Sequence, residues 1–556
     1  MRRLLPLLLA WALFCCSAPA LAGGAGSLTI GITQAPSTLH PNIDSMLAKS
    51  YLLGFLRRPL TQYDQDWKLV NMLAETLPTF DNGLAEKVEL DNGDEGIRTT
   101  WTIHPQAAWG DGTPVTTEDV VFTYDVGSTP QSGVATTELY KRIVEIEVVD
   151  EKTFRVTGDR ITFSYNSFGD FGLLPAQIER PVFEADPASY RNRTAFDNDP
   201  TNPGLHYGPY RLASLDRGSS YTLEPNPTWY GPEPAFDRIV LRVIEDTAAL
   251  QANLLSGAID MISGELGLTA DQAVPFAEGR GKAYNILFQP GLIYEHIDLM
   301  LDNPVLQDRR VRQALLHAID RELLVEQLFA GTQPVAHSSV SPLDRMHSED
   351  IPTYDHDPAK AAALLEEAGW TEIKDGIRHN AAGEELSFEI MTTAGNRNRE
   401  LVQQVLQSMW REAGIEIVIR NQPPRVLFGE TVRKREYEAL AMYAWISAPE
   451  SVPYSTLHST QIPSAENGWS GQNSNGYANP EMDALLERLE RELDPAERKG
   501  LWRELQRIYA TDLPVLPLYW RSDAYVLPNW LKGVRPTGHL GPSSLWVEEW
   551  TRAEGG

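Results

Sequence analysis

Tyr294-Glu295-His296-Ile297-Asp298-Leu299-Met300-Leu301, closed by Asn303-Pro304 and followed by Leu306-Gln307-Asp308-Arg309-Arg310-Val311-Arg312-Gln313-Ala314-Leu315, is the stretch that decides the fold. The apolar, partly alternating run from Tyr294 to Leu301 reads as a strand, and Asn303-Pro304 is a turn signal that ends it. The period then changes. Val311, Leu315, Ile319 and Leu323 recur at spacings of four, Leu316, Leu324 and Leu328 widen the stripe, and Gly331 stands where a helix would stop. A strand feeding one long amphipathic helix is a common way to found a core, so the chain is expected to leave one lobe here and begin another.

Outward from this stretch, length supports the same division. The chain has 556 residues, and single cores stop growing at roughly 250 to 300, so two or more domains are expected. Arg2 and Arg3 precede an apolar run from Leu4 to Phe14, and Ala20-Leu21-Ala22 gives a small-x-small pattern before Gly23. Residues 1–22 therefore read as a cleaved Sec-type signal peptide. The apolar run is shorter than the ~20 residues that span a bilayer, which argues against an anchor. Both cysteines, Cys15 and Cys16, lie inside this leader, so the mature chain is expected to have no disulfide and no thiolate metal site. Neither cysteine follows a small residue, as a lipid-attachment signal requires, and a soluble periplasmic protein is expected.

The formal net charge is −28, and loss of Arg2 and Arg3 with the leader takes it to −30. Such a surface repels nucleic acid and anionic headgroups, and neither is an expected partner. It leaves the ligand open, since a cleft can differ in sign from its surroundings.

Punctuation along the chain indicates α/β structure in both halves. Ser27 to Thr33 alternates through Leu28, Ile30 and Ile32 and reads as an edge-accessible strand, with a polar loop from Gln34 to Pro41. Gly110 and Gly112 permit a tight turn around Asp111, and Thr116 with Asp119 resembles a capping box that starts a helix. Residues 87–96 read as a long hairpin tip whose likeness to a calcium loop is superficial. Tyr221 to Leu223 and Ile239 to Ile244 are expected strands, and Thr247 to Ser256 a helix ended by Gly257. Later, Asp357-Pro358, Asn479-Pro480 and Asp494-Pro495 each place a cap before a first-turn proline. The expected strands Leu386 to Met391, Ile415 to Ile419 and Glu438 to Trp445 alternate with those helices.

Catalytic signatures are missing: there is no Gly-x-Ser-x-Gly, no His-Glu-x-x-His, no phosphate loop and no Gly-x-Gly-x-x-Gly. His337, His347 and His356 are spaced too widely for a helix-borne metal site and read as a solvated loop, so no metal or cofactor is expected. Binding needs less machinery. Tyr443, Trp445 and Ser447 end a strand and enter a long loop that carries Trp469, Gln472, Asn473 and Asn475, and long irregular loops in compact domains are often functional. Gln34, Thr38, Asn396, Arg397 and Arg425 are further cleft candidates, each also compatible with a capping or surface role. Arg397 at a helix start suits a carboxylate.

The stretch Leu306 to Leu315 with Ala318-Ile319-Asp320-Arg321 resembles the opening of the second lobe in the family 5 solute-binding proteins of ABC importers, the dipeptide, oligopeptide and nickel receptors. Further resemblance lies in Trp109-Gly110-Asp111-Gly112-Thr113-Pro114, Gly208-Pro209-Tyr210, Leu223-Glu224-Pro225-Asn226, Trp229-Tyr230-Gly231 and Leu255-Ser256-Gly257-Ala258-Ile259-Asp260. Leu513-Pro514-Val515-Leu516-Pro517-Leu518-Tyr519 extends it nearly to the end.

The resemblance implies an α/β, two-lobed periplasmic binding protein fold of the large type II, with an extra subdomain in the first lobe. Lobe I would comprise 23–293 and 522–556, with the subdomain at about 66–200, and lobe II 294–521. It also implies a monomeric, non-enzymatic receptor that captures a peptide or peptide-like solute and delivers it to an ABC permease. A non-peptide solute such as an opine, sugar or metal chelate is the alternative, and a secreted hydrolase a more distant one. One departure bears on the ligand: peptide receptors of this family place an aspartate shortly before the loop proline to pair with the ligand's ammonium group. Here Tyr443-Ala444-Trp445-Ile446-Ser447-Ala448 precedes Pro449 with no acid, and Glu450 follows.

Overall fold

Strand β1 (Ser27–Ile32) does not lie at an edge: it has a parallel neighbour on each side, and Leu28, Ile30 and Ile32 are fully buried. Its neighbours come from more than 200 residues further on, which a local alternation cannot reveal. The structure, a computed structural model, describes residues 26–43, 46–129, 131–135, 138–280, 282–466, 469 and 471–553. The leader, Cys15 and Cys16 lie outside the described residues.

Four strands then form a separate antiparallel sheet: β2 (Ala85–Glu89), β3 (Glu95–Thr102), β4 (Ile143–Val148) and β5 (Thr153–Gly158), in the order β2-β3-β5-β4. Glu89 pairs with Glu95, so the hairpin tip is residues 90–94, shorter than the 87–96 read from the sequence because Lys87 and Val88 also stay paired, with Ile97 and Gly96. Helix α1 (Thr117–Ser128) is held by the expected capping box, with the Thr116 backbone N–H donating to Asp119 at 2.9 Å. Val120 of this helix shares a core with Trp101 and Phe154 of the sheet.

The chain returns to the main sheet through β6 (Tyr210–Asp216), β7 (Ser220–Pro225), β8 (Arg238–Val243), helix α2 (Thr247–Leu255) and β9 (Met261–Ile262). It then crosses to the second half along β10 (Tyr284–Leu299), a strand of 16 residues. The single helix expected after it is broken into α3 (Arg309–His317) and α4 (Arg321–Phe329). Asp320 causes the break: its carboxylate accepts the Leu323 N–H at 2.9 Å and caps a new helix. Leu323, read as part of the apolar stripe, is consequently 47% exposed.

The second half continues with α5 (Pro358–Glu367), β11 (Ser387–Met391), α6 (Arg397–Glu412), β12 (Glu416–Ile419), β13 (Leu440–Ile446), α7 (Pro480–Arg491) and α8 (Pro495–Asp512). Asp357, Asn479 and Asp494 cap α5, α7 and α8 as read from the sequence, each with proline in the first turn. β14 (Val515–Pro528) then runs back beside β10. The sheet order is β12-β11-β13-β10-β14-β9-β1-β8-β7-β6.

The two long antiparallel strands thus serve two cores. At one end Ile297, Leu299, Leu516 and Leu518 pack under α3, α4 and α6; at the other Tyr525 and Leu527 join Leu28 and Ile30. Between them the register of β10 against β14 shifts at Pro290 to Tyr294, which interrupts the ladder where the halves meet. Direct contacts also tie the halves elsewhere. Asn398 donates to Asp271 at 2.8 Å, the Phe163 N–H donates to the Glu490 carbonyl at 3.2 Å, and the Arg498 guanidinium lies 3.3 Å from the Phe163 ring centroid.

Candidate functional site

Period-two alternation sends Tyr294, His296 and Asp298 to one face of β10 and Glu295 to the other. On the first face these residues line a cavity of about 150 Å³. Its remaining walls come from Ser339, from Trp445 to Ser447 at the end of β13, from Ser451 to Pro453 and Ser455 to Leu457, from Gln472 and Asn475, and from Trp502, Tyr509 and Val515. The lining residues all fall between 294 and 515, so the cavity is built within the second half beneath the long loop.

Register explains why aromatic groups gather here. Tyr294 pairs with Trp445 and His296 with Tyr443 across β10 and β13, which places all four side chains on one face. The rings of Tyr294 and His296 stack at 5.1 Å, and Tyr443 meets His296 edge-on at 4.8 Å and Trp445 at 5.6 Å. Tyr294 and Tyr509 join hydroxyls at 3.0 Å, and burial pushes both phenols upward.

The carboxylate on this face is already engaged. Asp298 Oδ2 accepts from the Tyr443 hydroxyl, and Oδ1 lies 3.2 Å from His296 Nε2. His296 Nδ1 is 3.2 Å from the Tyr294 carbonyl oxygen, whereas Nε2, despite its distance to Asp298, makes no hydrogen bond. Glu450, the nearest acid in the loop, does not line the cavity. It is 4% exposed, with a φ of 56°, and its carboxylate pairs with Arg345 and lies 3.8 Å from Arg498 Nε. Its backbone N–H donates to Asp344 at 2.8 Å.

Five of the sequence candidates belong to this neighbourhood. Trp445, Ser447, Gln472 and Asn475 line the cavity, and Tyr443 braces Asp298 from behind it. Asn475 also donates to the Pro514 carbonyl at 3.2 Å, fixing the loop to the end of α8. Asn473 is a loop staple, fully buried and donating to the carbonyls of His458 and Tyr477. Trp469 is half-buried, its backbone N–H donates to the Ser464 carbonyl, and it does not line the cavity.

The remaining candidates lie elsewhere. Gln34 is exposed after β1, and Thr38 is buried with its hydroxyl donating to Asp197 at 2.8 Å. Asn396 caps α6 by accepting the Arg399 N–H, and Arg397 is exposed beside it. Arg425 stands in the turn Pro424–Val426. The residues that sequence reasoning missed are Tyr294, His296, Asp298, Trp502 and Tyr509. A usable signal was present for three of them, because ionisable residues alternating inside an otherwise apolar strand are seldom placed there for packing.

On the opposite face of β10, Glu295 is fully buried between Arg399 and Arg521. Burial alone would raise its carboxyl, but the Arg521 and Arg399 guanidiniums hold it below the usual carboxylate range. Among the described residues no group of three or more His, Cys, Asp or Glu is placed to hold a metal ion, and no helix is long and apolar enough to cross a membrane.

Comparison with known proteins agrees with this architecture. Residues 70–464, well over half the chain, match the profile described as bacterial extracellular solute-binding proteins, family 5 Middle. The oligopeptide-binding protein AppA of Bacillus subtilis is 26% identical over 544 residues, covering 95% of this chain and 92% of that protein. The oligopeptide-binding protein of Thermus thermophilus, solved with a pentapeptide, superposes with a TM-score of 0.71 at 30% identity, covering 95% and 96% of the two chains. NikZ of Campylobacter jejuni, solved with Ni(L-His), shares the fold with a TM-score of 0.71 at 22% identity, over 95% of this chain and 99% of its own. The chain belongs to the bacterial extracellular solute-binding proteins of family 5 and has their two-lobed α/β periplasmic binding fold.

Proposed function

We propose that the protein is the periplasmic receptor of an ABC importer, released from its leader after residue 22 and not lipid-anchored, that captures a peptide or peptide-like solute and hands it to the permease. The observation that carries this reading is the cavity beneath the loop after β13, where Trp445 and Trp502 supply flat apolar walls and Ser447 and Asn475 supply hydrogen-bonding groups. Oligopeptide binding by the relatives from Bacillus subtilis and Thermus thermophilus supports the ligand class. The family is one of substrate-binding proteins, and the receptor does no chemistry on its solute.

Lobe I, at 23–293 and 522–556, and lobe II, at 294–521, would close about β10 and β14. A ligand that touches both lobes only when they are shut shifts the population toward the closed form, which the permease then reads. At about 150 Å³ the cavity is smaller than the ~300–1,000 Å³ of pockets that enclose a whole small ligand. It therefore takes one part of the solute, with the rest lying in the seam. Monomeric protein suffices for this.

The test is to purify the mature protein from the periplasm, denature it and identify by mass spectrometry what is released. Peptides are the expected finding. Release of a sugar or metal chelate alone would overturn the ligand class, and turnover of a released molecule by the protein would overturn the receptor reading.

A further inference from the structure

The four-stranded subdomain holds a second cavity, of about 340 Å³, that shares no lining residue with the first. Every residue that lines it falls between 97 and 168, so it is built without the second half. Ile97 and Thr99 of β3, Val156 and Gly158 of β5 and Ile143 of β4 form one wall, and Phe168 faces them from the segment after β5. Trp101 and Phe154, which pair further along the same strands, belong to the packed core and do not reach it.

A missing side chain keeps this space open. Val156 points into the subdomain core, and Gly158, two residues on, faces the same way. A Cβ at Gly158 would meet nothing nearer than the Ile97 and Arg142 carbonyl oxygens, at 3.7 and 3.9 Å. Glycine here therefore admits no neighbouring backbone, which is its usual use within a strand, and leaves volume instead.

The polar groups of the wall are engaged with one another. Thr99 accepts from the Trp101 indole at 2.7 Å and donates to the Val156 carbonyl at 3.3 Å, and the Thr162 and Ser164 hydroxyls bond each other at 3.1 Å. Asp159 holds the Arg160 guanidinium at 2.8 Å. Arg142 differs: it is exposed, and among the described residues its guanidinium has no ion pair and no hydrogen-bond acceptor. Glu490 of α7 faces Arg142 and Arg160 from the second half but forms no ion pair with either. Two arginines and one aspartate give the lining a charge of +1, in a chain of −28.

We propose that this cavity is a second binding site, for a small amphipathic carboxylate whose apolar chain lies on Ile97, Ile143, Val156 and Phe168 and whose head pairs with Arg142. A guanidinium suits a carboxylate, and a charge of +1 matches a monoanion better than a phosphate monoester, which carries about −1.5 to −2. An apolar cavity of ~150 Å³ in another protein holds one benzene ring, so about 340 Å³ admits a chain of roughly eight to twelve carbons. The site stands apart from the cavity assigned to the imported solute, and neither assignment depends on the other.

Calorimetric titration of the mature protein at neutral pH with butanoate, octanoate, octanol and octylamine tests it. Octanoate is expected to bind at least about tenfold more tightly than butanoate, because four more methylenes leave water. It is also expected to bind about three- to tenfold more tightly than octanol, with octylamine weaker than both. Gly158→Leu, which puts a side chain into the cavity, is expected to weaken octanoate at least about tenfold in protein that stays folded by circular dichroism. Arg142→Ala, at an exposed position, is expected to bring octanoate down to the affinity of octanol and to leave octanol within about twofold. Should Gly158→Leu fail to fold, Arg142→Ala decides. No octanoate binding at millimolar concentration, octanol or octylamine binding as tightly as octanoate, or a preference for octanoate that persists in Arg142→Ala overturns the site, as does octanoate affinity unchanged in folded Gly158→Leu.

Discussion

Arg399 Nε donates to Oε1 of the fully buried Glu295 at 3.0 Å, and Arg521 of β14, its side chain 34% exposed, donates to the same oxygen. The three residues come from β10, α6 and β14, and they sit beside the register shift where the two halves meet. Breaking a buried pair by removing one partner leaves an uncompensated charge, at a cost of about 3–5 kcal/mol. Glu295→Gln, which strands the buried Arg399 guanidinium, is therefore expected to lower stability by up to about that amount in urea unfolding. A loss under about 1 kcal/mol would show that the triad is not a structural tie.

Trp445→Ala is expected to weaken solute binding by about ten- to a hundredfold, since it removes an aromatic wall of the cavity. Trp469→Ala, outside the cavity, is expected to leave affinity within about threefold. Calorimetry on the two variants separates them, and the reverse ranking would place the pocket elsewhere.

Much of the scaffold was legible in the sequence because its signals are local. Asp357, Asn479 and Asp494 cap helices by geometry confined to one turn, and each does so in the structure. Non-local pairing was not legible. β1 reads as an edge because its two parallel partners lie far along the chain, and the helix break at Asp320 hides under a continuous apolar stripe. Within the site, Trp445 and Ser447 could be read from loop length and composition. Trp502 could not, since at its position in α8 it resembles any apolar residue of an amphipathic helix. Only the fold brings it to the cavity wall.

The contact of Phe163 with Arg498 joins the four-stranded subdomain to the second half at 3.3 Å. Such a contact is worth about 0.5–2 kcal/mol, and it exists only while the halves touch. Phe163→Ala is expected to weaken solute binding by about two- to thirtyfold, through loss of the closed form, with the cavity itself untouched. An unchanged affinity would show that this contact takes no part in closure.

Burial, reinforced by the Glu265 carboxylate, pushes the Asp523 carboxyl up to about 7 against the opposing pull of Arg521. The folded chain then keeps this proton to higher pH than the unfolded chain, where aspartate titrates near ~4. This group's contribution is most favourable below about pH 4 and is lost progressively as pH rises to about 7. Asp523→Asn removes the loss. The variant is expected to gain on the wild type across that window by no more than about 4 kcal/mol, measured by urea unfolding at several pH values. A difference that does not widen with pH would contradict this account of Asp523.

Two lobes that enclose a solute and release it unchanged must contract around it. The most direct measurement is small-angle scattering of the mature protein, with and without a saturating oligopeptide mixture, and chromatographic recovery of the peptides afterwards. The account predicts a smaller radius of gyration with ligand and peptides recovered intact. No contraction with any peptide that binds, or recovery of cleaved products, would contradict it.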